Sequence, residues 1–315
     1  MFLDLFWIIA LFIIVIFSVT FTVISYKLFA LACLRDRKRT VGDGFEKQIG
    51  EHKSLIEAGK NFYKTLSKED VWIESRDKLK LHAELIRNGD CKKLVICSHG
   101  FRSAPQFDFV TTMPYFYNKG FSFLLVDHRA HAKSEGEYIT YGVNERYDLK
   151  AWVDFAVETL GCDVEILLHG ISMGGATVLM ASGLDLKENV KGIIADCAFT
   201  SPHDIFVRVL DHSFNSKPFP ILNIAELFAK RKAKFGFKDA STVEAMAKNT
   251  TPILFVHGED DDFVPIEMSE RNFDACRSEK VFVRVKGAKH ACSYFAGREE
   301  CEKAIDTFLA KHFKK

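Results

Sequence analysis

From Val71 to the C-terminus the chain alternates short, continuous apolar runs with longer stretches of helical periodicity, and few architectures accept that pattern. The runs Leu94–Cys97, Phe121–Val126, Val164–Leu168, Val190–Ala195, Ile253–Val256 and Val281–Val285 have the length of strands. Each is apolar on both sides, as a strand buried on both faces must be. Between them lie helical segments over 107–118 and 144–160, one from Met173 onward, and a closing helix over 299–313. Strands alternating with helices in this way predict a mostly parallel central sheet covered by helices on both faces. Before the first run, Val71–Glu74 and Leu79–Leu85 alternate around the polar turn Ser75-Arg76-Asp77-Lys78, which predicts a β-hairpin at one edge. The stretch 200–249 is too long for one crossover helix. It carries Phe206, Phe214, Phe219, Phe228, Phe235 and Phe237 and so predicts a crossover helix plus a small helical lid.

The N-terminus has a different character. Leu5–Ile24 is almost wholly apolar and about 20 residues long, enough to cross a hydrocarbon core as a helix. Trp7 and Tyr26 flank it as interfacial aromatics, and Arg35, Arg37, Lys38 and Arg39 follow. By the positive-inside rule the C-terminal side faces the cytoplasm. A cleaved signal peptide would need a basic start and a shorter apolar core. Neither is present, and Ala30-Leu31-Ala32-Cys33 resembles a lipoprotein cleavage site only faintly. The expectation is a retained single-pass anchor over 1–34, a linker with short helices over 35–70, and a catalytic domain over 71–315 with its lid at about 200–250. The periodic positions Phe45, Ile49, Leu55, Ile56 and Phe62 predict helix within the linker.

Composition narrows the function. Net charge is +1, with 43 basic and 42 acidic residues, which gives no electrostatic footprint for nucleic acid. The eight cysteines form no C-x-x-C pair and have no zinc-ligand spacing. They read as reduced, structural thiols, and no metal or organic cofactor is expected.

The chemistry centres on Gly170-Ile171-Ser172-Met173-Gly174. A G-x-S-x-G match alone is weak, but here it follows one apolar run and opens a helix, the setting of a nucleophile elbow. Small neighbours are needed because the serine sits on a sharp turn. A serine hydroxyl requires a base, and His290 lies in Gly287-Ala288-Lys289-His290-Ala291, after the last strand. The base in turn requires a carboxylate, and Asp260, Asp261 and Asp262 stand together after the strand that starts at Ile253. An oxyanion hole needs two backbone N–H groups, and Met173, directly after the nucleophile, supplies one.

With these residues in view, Val71–Lys315 resembles the α/β-hydrolase superfamily. Its order of serine, acid and histidine fits, and His257-Gly258-Glu259-Asp260-Asp261-Asp262-Phe263-Val264-Pro265 resembles the superfamily's H-G-x-x-D-x-x-V-P segment, which puts the acid at Asp261. Ser98-His99-Gly100-Phe101 resembles its H-G-x loop, which implies the Phe101 amide as the second oxyanion donor and a structural role for His99. Asp127–Ser134 resembles its D-x-R-G-x-G-x-S loop, but Ala130 and Ala132 replace both glycines, so an altered loop conformation is expected there. Tyr141–Leu149 and Asp196–Ser201 look most like membrane-anchored serine esterases related to cinnamoyl esterases and dipeptidyl-peptidase-like hydrolases. The resemblance implies a carboxylesterase-like serine hydrolase acting on a small ester with an apolar acyl or aryl group. The alternatives are a peptidase of the prolyl-oligopeptidase type acting on small peptides, and a catalytically idle, membrane-tethered binding protein.

Overall fold

The computed structural model describes residues 2–36 and 52–314. Arg37, Lys38, Arg39, Phe45 and Ile49, which carried part of the reading of the anchor and linker, lie outside the described residues. Eight strands form one sheet: β1 (Glu69–Glu74), β2 (Lys80–Ile86), β3 (Lys93–Ser98), β4 (Phe121–Val126), β5 (Glu165–Ile171), β6 (Val190–Asp196), β7 (Ile253–Gly258) and β8 (Lys280–Val285). Their spatial order is β1-β2-β4-β3-β5-β6-β7-β8. Strands β3 to β8 are mutually parallel, and β2 is the reversed strand, antiparallel to both β1 and β4. The predicted hairpin is β1–β2, with Val71 opposite Ala83 and a turn through Lys78 at φ 69°.

Because successive side chains point to opposite faces, each central strand feeds two cores. Leu94 and Ile96 of β3 pack on one face with Trp152, Val153 and Leu179. Val95 and Cys97 pack on the other with Phe121, Phe123 and Phe308. The covering helices are α3 (Glu145–Leu160) and α4 (Met173–Ser182) on the first face and α8 (Arg298–His312) on the second. Every residue of α4 is buried, which is why its sequence is apolar or small all round.

The expected helix over 107–118 is broken into Pro105–Asp108 and Met113–Asn118. Pro114 explains the break: without an N–H it fits only the first turn of a helix, so the second segment must start anew.

A third apolar cluster lies above the sheet's C-terminal edge, under the lid. The lid comprises α5 (Pro202–Phe214), α6 (Ile221–Phe228), a π-helical turn over Ala229–Ala233 and a short helix at Thr242–Met246. Helix α5 starts cleanly because Ser201 Oγ accepts the Asp204 amide at 3.0 Å and Pro202 occupies the first turn. Between β7 and β8 runs α7 (Ile266–Ala275).

Helix α1 (Phe2–Cys33) is long and apolar enough to cross a membrane, with mean hydropathy 2.8 over its most apolar stretch. It has two parts. Residues 5–20 project from the protein almost wholly exposed. The last third instead turns one stripe, through Phe21, Ser25, Leu28, Phe29, Ala32 and Cys33, onto the domain. Phe29 stacks on Phe228 of α6 and lies against Tyr138. The chain is then pinned: Leu34 bridges to Tyr138, and Arg35 donates to the Ser134 carbonyl at 2.7 Å and the Ala132 carbonyl at 2.6 Å. Helix α2 (Lys53–Thr65) follows within the predicted linker and packs through Phe62 beside Tyr117.

Candidate active site

Ser172 sits between β5 and α4 with φ 55° and ψ −115°. A non-glycine residue is rarely held there, and the cost is of order 1–3 kcal/mol. The turn survives because its neighbours have no side chains. A Cβ on Gly170 would lie 2.2 Å from the Gly174 carbonyl oxygen, and one on Gly174 would lie 1.8 Å from the Ser98 carbonyl oxygen. The strain pushes the Ser172 side chain out over the sheet's C-terminal edge, where parallel α/β sheets place their sites.

His290, on the loop after β8, reaches Ser172 Oγ through Nε2 at 2.9 Å and Asp261 Oδ2 through Nδ1 at 2.7 Å. The Phe263 ring stands edge-on to the imidazole at 5.0 Å. Of the three adjacent aspartates only Asp261 is buried. Its Oδ1 accepts the Val264 amide at 2.8 Å and the Phe263 amide at 3.0 Å. Oδ2 is shared by His290 and by His257 Nε2, which lies 3.2 Å away and also meets the Val264 carbonyl at 2.9 Å. Burial pushes the Asp261 carboxyl up, but hydrogen bonds from His257 and His290 outweigh it and hold the group ionised, well below the usual carboxylate range. His257 is itself fixed by Ser269 Oγ at Nδ1, 2.7 Å away. Sequence reasoning placed His257 in the motif without seeing that it braces the acid. Its signal was the spacing of four residues, which folds back through a tight loop.

The loop after β3 lies beside the nucleophile: a Cβ on Gly100 would be 3.6 Å from Ser172 Cβ. Among the described residues no protein acceptor takes the Phe101 or Met173 amide hydrogen. The loop is held by Asp108, whose Oδ2 accepts the Gly100 amide at 2.7 Å and whose Oδ1 accepts Ser103 Oγ at 2.5 Å. His99 is spent on structure, its two nitrogens meeting the Gly100 carbonyl at 2.8 Å and the His128 amide at 3.1 Å. Burial holds His99 well below the ordinary histidine range and lowers His128 to about 3, so both are neutral.

The Asp127–Ser134 loop keeps left-handed φ values of 61° at Ala130 and 39° at Ala132. The expected change of conformation is therefore replaced by strain: the alanines occupy backbone that glycine favours. Arg129 secures this loop through Asp148 and Asp77. Cys197, at φ 44°, brings its thiol within 4.8 Å of the Asp261 and His290 ligand atoms. Burial pushes that thiol far up, so it remains protonated and packs as a small hydrophobe.

Beneath the site Asp196 ends β6 and accepts Ser293 Oγ at 2.9 Å. Burial raises its carboxyl to about 6, against the Ser293 bond that lowers it. A carboxyl whose folded value is raised contributes stability that is fully present below about pH 4 and lost as pH climbs through about 6. Asp196→Asn is therefore expected to raise the unfolding free energy at pH 7 by up to about 3 kcal/mol, with the difference vanishing at pH 4. Thermal unfolding of both proteins at the two pH values measures this; a variant less stable at pH 7 would refute it.

A cavity of about 310 Å³ opens onto Ser172 and Met173, walled by Phe101, Tyr141, Phe199 and Phe206 and, from α1, by Leu28, Leu31 and Ala32.

This sheet, its helices and the strained turn at Ser172 define an α/β-hydrolase of the esterase and peptidase type. Residues 105–315 match the prolyl oligopeptidase family, and the chain belongs to that family. It is similar to uncharacterized protein YqkD of Bacillus subtilis, with 29% identity over 220 residues, 70% of this chain and 72% of that one. Solved structures with the same fold include the Pyrococcus furiosus esterase Pf2001 (TM-score 0.64, 21% identity, 90% of this chain and 100% of that one). Est1E of Butyrivibrio proteoclasticus, bound to ferulic acid, also matches (TM-score 0.62, 22% identity, 78% and 100%). So does the acylaminoacyl peptidase of Pyrococcus horikoshii (TM-score 0.58, 17% identity), of which this chain covers 43% while 81% of this chain is aligned.

Proposed function

We propose that the protein is a membrane-anchored serine hydrolase that cleaves carboxylic esters through an acyl-enzyme. Ser172 Oγ attacks the ester carbonyl and His290 Nε2 takes its proton. Asp261 holds the imidazole by Nδ1 and stabilises the imidazolium. The Phe101 and Met173 amides receive the oxyanion. The C–O bond to the alcohol breaks, the alcohol leaves with the proton from His290, and water deprotonated by His290 releases the acid. The observation that carries this reading is the hydrogen-bonded chain Ser172–His290–Asp261, opening onto an apolar cavity sized for an acyl or aryl group.

Family membership favours a second reading, hydrolysis of small peptides. Turnover of matched p-nitrophenyl esters and p-nitroanilide peptides by the purified full chain separates the two. Ester turnover rising with acyl length, with slow or absent anilide cleavage, is expected; the reverse order would establish the peptidase.

We further infer that α1 anchors the chain in the cell membrane in a single pass, with the catalytic domain on the cytoplasmic side. The exposed apolar stretch 5–20 supports the anchor, and the basic residues that follow it support the orientation. Residues 1–34 then serve as anchor, 35–70 as linker and 71–315 as catalytic domain, with the lid at about 200–250.

A further inference from the structure

The acyl cavity has a neighbour along α1. A second apolar cavity, of about 210 Å³, lies beside it along α1, lined by Ile24, Lys27, Leu210 and Ile221. The two share Leu28, Leu31 and Phe214 as walls. Together they follow α1 from Ala32, beside the nucleophile, back to Ile24, about 12 Å along the helix axis. Ile24 is near the point where α1 leaves the protein and its exposed apolar stretch begins. The lid around this mouth shows Phe214, Phe219 and Leu227 to the outside, each more than half exposed. Basic side chains stand beside α1 here: Lys27 lines the cavity, and Lys232, on the turn after α6, has its Nζ 6.0 Å from the Tyr26 ring. Exposed aromatic and apolar groups beside lysines suit the boundary between acyl chains and anionic headgroups.

We infer that the substrate is an ester of one long fatty acyl chain, drawn directly from the bilayer along α1. This deepens, and rests on, the serine-hydrolase and anchoring readings above. The ester carbonyl sits at Ser172 while the tail runs back through the second cavity towards the membrane. The leaving alcohol departs on the aqueous side, and the released fatty acid slides back into the leaflet it came from. A water-borne substrate would need no apolar passage ending at the anchor. A chain that starts in the bilayer exchanges one apolar environment for another, and the wall it follows is the anchor itself.

The test uses the full chain in phospholipid vesicles and two fluorophosphonate probes, one ethyl and water-soluble, the other hexadecyl and dissolved in the vesicles. Ile24→Trp fills the passage at its membrane end, at a site exposed enough to keep the fold. With the passage filled, methylenes of the tail must cross water to bring the phosphonate to Ser172, at a cost of about fourfold in labelling for each. The variant is therefore expected to lower the ratio of hexadecyl to ethyl labelling at Ser172 by at least about tenfold. Ile8→Trp, on the exposed part of α1, is expected to leave that ratio unchanged. Ethyl labelling with no hexadecyl labelling, or a ratio unmoved by Ile24→Trp, would overturn the route while leaving the hydrolase intact. Failure of both probes on folded protein would overturn the hydrolase reading and the route with it.

Discussion

Ser172→Ala is expected to reduce ester turnover by at least about 10⁴-fold and to abolish fluorophosphonate labelling, with the protein still folded. The size of the effect follows from the chain of bonds. In the proposed mechanism, removing Oγ removes the atom that forms the acyl-enzyme, and His290 and Asp261 have nothing to activate. Only the proposed oxyanion donors and substrate positioning would remain, acting on an attacking water that no side chain was placed to hold. Asp261→Asn should give a loss of similar order by a different route. An amide at 261 cannot accept from both His290 and His257 and leave the imidazole in the tautomer that takes the serine proton. Ester turnover at saturating substrate, with unfolding curves for each variant, reads both effects. A Ser172→Ala protein that keeps even a tenth of its activity would remove the nucleophile from this residue.

Arg129→Ala should cost about 3–5 kcal/mol of stability, through a buried charge left unpaired. The guanidinium donates to Asp148 at 2.6 and 2.7 Å and to Asp77 at 2.8 and 3.0 Å. Both Arg129 and Asp148 have side chains only 4% exposed. With the arginine gone, the Asp148 carboxylate lies on the buried face of α3 with no cation. The double variant Arg129→Met/Asp148→Leu removes both charges and should recover more than half of the loss. Chemical unfolding of the full chain in mild detergent measures the series. A single-variant cost below about 1 kcal/mol would mean that water reaches the pair.

The sheet was legible because buried parallel strands write themselves as apolar runs, and the elbow because a turn this tight excludes side chains. The choice among Asp260, Asp261 and Asp262 was not legible in the residues themselves, and the resemblance supplied it. In the fold the three part company: the Phe263 and Val264 amides draw Asp261 inward, while its neighbours point to solvent. Such backbone donors carry no side-chain signature. The docking of α1 was hidden for another reason. Hydropathy gives Phe12 and Phe29 the same value, yet one is exposed and the other is buried against Tyr138 and Phe228. Asp108 went unnoticed because its partners are a backbone amide and a serine, which leave no spacing to read.

Two hydrogen bonds from one side chain change what the N-terminal helix is. Arg102, next to Phe101 on the loop beside the nucleophile, donates Nη2 to the Leu31 carbonyl at 2.8 Å and the Leu34 carbonyl at 3.1 Å. A cation thus closes the C-terminal end of α1, where unpaired carbonyls and the helix dipole favour it. The N-terminal helix and the loop beside Ser172 are therefore joined as one unit. A protease cutting after Cys33 would not set a finished enzyme free in solution. It would strip away the capped helix end, one side of the cavity at Ser172 and the partner of the Arg102 loop in a single stroke.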